Sequence, residues 1–149
     1  MKKERIRKWM ISALLWMWTG GIYFFIEVIW KTAHGRPEMI SWTMFLLAII
    51  LAVPLERFGA ELPWSMSLSL QALICGSAIM VVEFMAGVVL NLWLGLGVWD
   101  YSNLPGNLLG QICPQFFLVW IVTSIIGIIM LDWIRYIVEG GERPHYKFI

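Results

Sequence analysis

Apolar residues run along the chain in four long blocks separated by short polar breaks, and the blocks are too long for the strands or helices of an ordinary water-soluble core. The first extends from Trp9 to Trp30 behind a basic segment, 1–8. As a helix it would rise about 33 Å, enough to cross the roughly 30 Å hydrocarbon layer. It is longer than a cleavable signal core and ends in Ile-Trp-Lys rather than small residues, so it reads as a retained first helix. The second block, about 39–55, meets Pro54 and then Glu56-Arg57-Phe58-Gly59, which predict a stop at the membrane surface. Leu62-Pro63-Trp64-Ser65 follows as a turn, with Ser65 as the expected N-cap of the next helix. The third block, about 65–97, would rise roughly 50 Å and must tilt, break or protrude, and Gly95 and Gly97 mark where it should loosen. The fourth, about 108–134, leads into a polar tail, 135–149. The pattern predicts an all-α, polytopic integral membrane protein: one transmembrane domain of four helices, with a re-entrant or interfacial segment before the fourth.

Composition strengthens this reading. Of 149 residues, 60% are hydrophobic and 14% charged, with ten tryptophans and nine methionines; mean hydropathy is +0.75. A soluble domain of this size lacks the interior to hide that surface, so the expected partner is the lipid bilayer. The net charge of +1 provides no basic field for nucleic acid. Charge instead predicts orientation. Nine of the eleven Lys and Arg fall in the N-terminal segment, the break between helices two and three, and the tail, against two in the first loop and none in the last. Both termini are therefore expected in the cytoplasm, in the cell membrane. Trp9, Trp30, Trp42, Trp64, Trp99 and Trp133 near the block ends suit an aromatic belt. Cys75 and Cys113 read as small buried hydrophobes.

Ionisable groups inside lipid are costly and are candidate sites by default. Glu27 and Glu83 each lie 18 residues beyond the cytoplasmic start of their helix, a spacing that places both about 27 Å up and allows them to meet. Glu83 shares a helical stripe with Gly76, Met80, Gly87 and Asn91, and Glu27 one with Trp16, Gly20 and Tyr23. Gly20, Gly76 and Gly87 are the expected close-packing positions. One reading is a cation or proton site; the other is that each carboxylate accepts from Trp or Tyr, or pairs with a base, and locks the helices. Asp100, Tyr101, Ser102, Asn103, Asn107 and Gln111 crowd the stretch before helix four and complete the set of candidate substrate- or ion-binding residues. Glu56 and Asp132 read as interfacial partners of Arg57 and Arg135. No Walker A loop, HExxH, CxxC or nucleophile elbow occurs, and His34 and His145 lie in opposite polar segments. No catalytic residue, metal site or cofactor is expected.

Several segments resemble a known family. They are Gly20-Gly21-Ile22-Tyr23 with Glu27 and Trp30, Ser41-Trp42-Thr43-Met44-Phe45, Glu83-Phe84 with Gly87, and above all the block from Val98-Trp99-Asp100-Tyr101-Ser102-Asn103-Leu104-Pro105 to Gln111-Ile112-Cys113; the tail Arg143-Pro144-His145-Tyr146-Lys147 matches too. The chain resembles the small bacterial membrane proteins described as putative ABC-transporter type IV, or ABC-transporter permease-like, and more distantly a group of animal transmembrane proteins. It looks like a shorter, four-helix branch. The resemblance implies a transport component, and an ATPase subunit as partner if the ABC label holds. The expected function is a homo-oligomeric transport component using intramembrane carboxylates, not an enzyme. The alternative is a structural or partner-binding membrane protein.

Overall fold

The computed structural model describes residues 2–148. Among them are four long helices: α1 (Lys2–Ala33), α2 (Trp42–Glu61), α3 (Leu68–Gly87) and α4 (Pro114–Glu139). A 3-10 turn, Pro37–Met39, precedes α2, and α3 passes directly into a π-helical turn, Val88–Trp93. All four are long and apolar enough to cross a membrane, with Leu68–Trp93 acting as one span. The protein is a multi-pass, all-α membrane protein.

Several boundaries differ from the sequence expectation, each for a local reason. α1 begins at Lys2, not Trp9. Lys, Arg and Glu are good helix formers, and Glu4 and Lys8 approach to 3.9 Å one turn apart. α2 starts later because Pro37–Met39 closes its own short turn. It also runs through Pro54 to Glu61. A proline within a span removes one backbone donor, a loss that neighbouring groups in a bundle can absorb. The cap of α3 is Ser67, whose Oγ accepts from Leu70 N, and not Ser65. α4 starts at Pro114, since residues 108–112 form a hairpin instead.

The described residues divide into two compact units, one ending at Val53 and one beginning at Pro54. In the first, Gly20 lets α1 press against α2: a Cβ there would lie 2.7 Å from Ile49 N. Phe24 and Phe45 meet edge to face, with centroids 5.6 Å apart. In the second, Leu68, Ala72, Cys75 and Ile79 line one face of α3 and are fully buried, as are Ser124, Ile128 and Leu131 of α4. Gly76 brings α3 close to the Ile121 backbone and Gly127 seats Leu55, the small-residue packing that membrane helices use when apolar burial alone gives no preference.

Candidate functional site

Glu83 lies near the end of α3 and is buried. Its carboxylate accepts from two neutral donors on different elements. Trp120 Nε1 of α4 donates to Oε2 at 2.7 Å, and Tyr101 OH donates to Oε1 at 3.2 Å from the segment between the π turn and α4. Trp120 lies buried in the second turn of α4, where its indole N–H needs an acceptor. The Tyr101 ring stacks on Phe116 of α4, with centroids 4.4 Å apart and planes 18° apart, which fixes the phenol over the carboxylate. One side chain thus ties α3, α4 and the loop together.

The loop is built from its own polar groups. After the π turn the chain reverses through Gly95 and Gly97, both at positive φ. Asp100 Oδ1 accepts from Ser102 N at 2.8 Å and from Ser102 Oγ at 2.5 Å. Asn107 Nδ2 donates to the Ser102 and Leu104 carbonyls, and its Oδ1 accepts from Gly110 N. Leu108 to Gln111 is a tight turn with positive φ at both Leu109 and Gly110, the pattern of type I′, and Gln111 N donates to Leu108 O. Gln111 is the hub: buried, it accepts from Asn91 Nδ2 at 2.8 Å, donates to Leu109 O, and takes the Trp99 indole N–H on its carbonyl. Asn91 Oδ1 in turn accepts from Val98 N. Asn103 is exposed. Beside the hairpin, Met80, Phe84, Ile112 and Phe117 line a shallow apolar groove of about 290 Å³, a surface of the kind lipid covers.

In the other unit, Glu27 forms an i,i+4 ion pair with the buried Lys31, Nζ to Oε1 3.2 Å, and Lys31 Nζ also donates to Met39 O. Glu before Lys at this spacing is the favourable order on a helix.

A second polar cluster lies where α2 ends, α3 begins and α4 ends. Arg135 pairs with the buried Glu56 and with Glu139, the latter at 3.5 Å, while Arg57 pairs with Glu61. Asp132 accepts from Tyr146 OH at 3.1 Å. Glu56 and Asp132 were expected to pair with Arg57 and Arg135 by sequence proximity. Instead Glu56 takes Arg135 across the helices, Arg57 turns to Glu61 and Asp132 takes the Tyr146 hydroxyl; Gly59 lets α2 come so close to α4 that a Cβ there would lie 3.1 Å from Asp132 Oδ1. Burial, then the neighbouring Asp132 carboxylate and its hydrogen bond, hold the Tyr146 phenol well above its usual range.

Sequence reasoning missed two tryptophan roles. The sequence reading does not single out Trp120, although it lies in the middle of the expected block 108–134, away from any aromatic belt. Trp99, assigned to the belt, is buried with its N–H on Gln111 O. Both cysteines are buried and free. Among the described residues no group of three or more His, Cys, Asp or Glu converges to hold a metal.

The model of the family described as putative ABC-transporter type IV matches residues 42–141. The chain belongs to this family. The matched span takes in α2, α3, the loop and α4, with Glu83, Tyr101, Gln111 and Trp120, whereas Glu27 and the tail beyond Gly141 fall outside it. No curated protein and no solved structure matches the chain. Within the ABC-transporter type IV family, then, the matched portion of this protein includes the carboxylate and the loop that closes on it.

Proposed function

We propose that this protein is a non-enzymatic transport component of the cell membrane in which Glu83 carries a cation or proton. The observation that supports this most is the sharing of one buried carboxylate between a rigid helix donor, Trp120, and a loop donor, Tyr101. Hydrogen bonds to a charged acceptor are about twice as strong as neutral ones. Loading Glu83 with a proton or cation weakens its hold on Tyr101 and loosens the loop, and unloading restores it. That links occupancy to the position of the segment over the site. The Glu27–Lys31 pair serves α1 instead, because its charge is already balanced one turn away. Four helices enclose little volume, so the working form is a homo-oligomer with both termini in the cytoplasm. An ATPase joins it if the family's label describes its energy source.

Reconstitution into vesicles with an entrapped pH-sensitive dye, under imposed proton, sodium and potassium gradients, tests the reading. Glu83→Gln should abolish the flux and Glu27→Gln should leave it. Unchanged flux for Glu83→Gln at equal folded yield would sink the proposal. The second reading, a structural or partner-binding subunit, draws support from the loop, where Asp100, Asn107 and Gln111 bond to their own segment. It predicts that Glu83→Gln lowers the melting temperature and that no gradient drives flux through the wild type.

A further inference from the structure

We propose that the segment after α4 is a displaceable strap, and that the surface beneath it, made by Trp64, residues 67–69 and Asp132, is a docking site for an extended peptide. The strap occupies this site in cis, and the identical tail of a second copy occupies it in trans.

The strap leaves α4 through a hinge. Gly140 and Gly141 both have positive φ, 73° and 107°, and neither has any atom near the position a Cβ would take. Two such glycines turn the chain back without packing to hold the turn closed. Beyond the hinge, Lys147 O accepts from Leu68 N at 2.6 Å, Phe148 O accepts from Ser69 Oγ at 2.8 Å, and Ser67 and Lys147 form a parallel bridge. Leu68 N belongs to the first turn of α3, where backbone donors lack intrahelical partners. Any extended peptide can supply that carbonyl, so selectivity must come from side chains. His145 stacks on Trp64 at 5.0 Å, Tyr146 meets the same ring edge-on at 5.7 Å, and the Tyr146 hydroxyl reaches Asp132.

These contacts are exchangeable. Residues 145, 147 and 148 stay exposed and Tyr146 is half-buried, so hydrogen bonds and ring contacts carry most of the attachment, apart from the buried Pro144. Segments with little apolar burial open at low cost. A hinge joined to a self-recognising element is the arrangement that allows exchange between identical copies. The required ligand therefore carries an aromatic ring, a hydroxyl donor and a backbone carbonyl, in the order of His145, Tyr146 and Lys147, and a second copy provides all three. The oligomer of the previous section is relied on only as the source of that second tail; the docking site stands whether or not Glu83 carries an ion.

Two experiments on the full-length protein decide it. A fluorescent peptide of residues 141–148 should bind the Tyr146→Phe variant about tenfold more tightly than the wild type. The loosened strap then competes less well, by about the worth of one hydrogen bond to a charged acceptor. Equal binding to both, or none to either, overturns the docking site. Separately, Ser69→Cys and Phe148→Cys chains are co-expressed in one membrane and oxidised. Disulfide-linked dimers of the two variants are expected, and their absence, while the double variant on one chain does close its own disulfide, overturns the second copy as occupant. Success of this cross-link with no gradient-driven flux would sink the transport reading and leave the strap intact.

Discussion

Leu109 has φ 53°, in the left-handed region, at the first central position of the turn that carries Gln111. A side chain with a Cβ pays about 1–2 kcal/mol there, and natural type I′ turns place Asn, Asp or Gly at this point. The leucine is exposed, so no protein packing repays the strain. Glycine removes the strain but adds about 0.5–1 kcal/mol of unfolded-state entropy. Leu109→Gly should therefore stabilise the protein by about 0.5–1 kcal/mol, read as a rise of a few degrees in melting temperature in detergent. A fall in that temperature would mean that contact of the leucine with its apolar surroundings outweighs the backbone cost. The turn's strain was illegible in the sequence, where Leu108-Leu109-Gly110 reads as the start of an apolar span. The donors to Glu83 were hidden for a different reason: Trp120 and Tyr101 lie 37 and 18 positions away, and helical periodicity relates only neighbours along one element.

At the scale of elements, the small-residue stripe on α3 was readable because it obeys helical spacing. Gly76 and Gly87 do face close neighbours, and so does Gly20 on α1. What spacing does not reveal is which glycine is obligatory. A Cβ on Gly87 would lie 2.5 Å from Gln111 Oε1, 2.9 Å from Gln111 Cβ and 3.0 Å from Trp99 Cζ2, whereas a Cβ on Gly21 would meet nothing within 4 Å. Gly87→Ala should thus force α3 and the loop apart and cost about 1–3 kcal/mol, the range for overpacking. Gly21→Ala should gain about 0.5–1 kcal/mol, because alanine is the better helix former. Denaturant titration of both variants checks the pair, and a neutral Gly87→Ala would show that Gln111 can move without loss. The polar composition of 99–115 likewise signalled an irregular segment. The π turn ahead of it was not legible, since Val88–Trp93 carries no proline or glycine and its form follows from Asn91 bonding to Gln111 and to Val98 N.

For the whole molecule, four crossings would return the chain to the side on which it started, so the two termini are expected in one compartment. Charge then predicts which compartment. The segment before α1, the α2–α3 turn and the tail hold nine of the eleven Lys and Arg, and basic residues beside short loops are retained on the cytoplasmic side. Two of the eleven, Lys31 and Arg36, are expected on the other side, and Lys31 is committed to Glu27 and Met39 O, which reduces the opposing signal further. Variants with one added cysteine read this out cleanly because native Cys75 and Cys113 are buried. An impermeant maleimide should label His34→Cys and Asn103→Cys in intact cells, and Lys3→Cys and Glu142→Cys only after lysis; all four positions are exposed. Labelling of both terminal variants in intact cells would invert the orientation but keep four spans. Labelling of just one would put the termini on opposite sides, which an even number of crossings forbids, so one of the four apolar helices would have to lie along the membrane instead of through it.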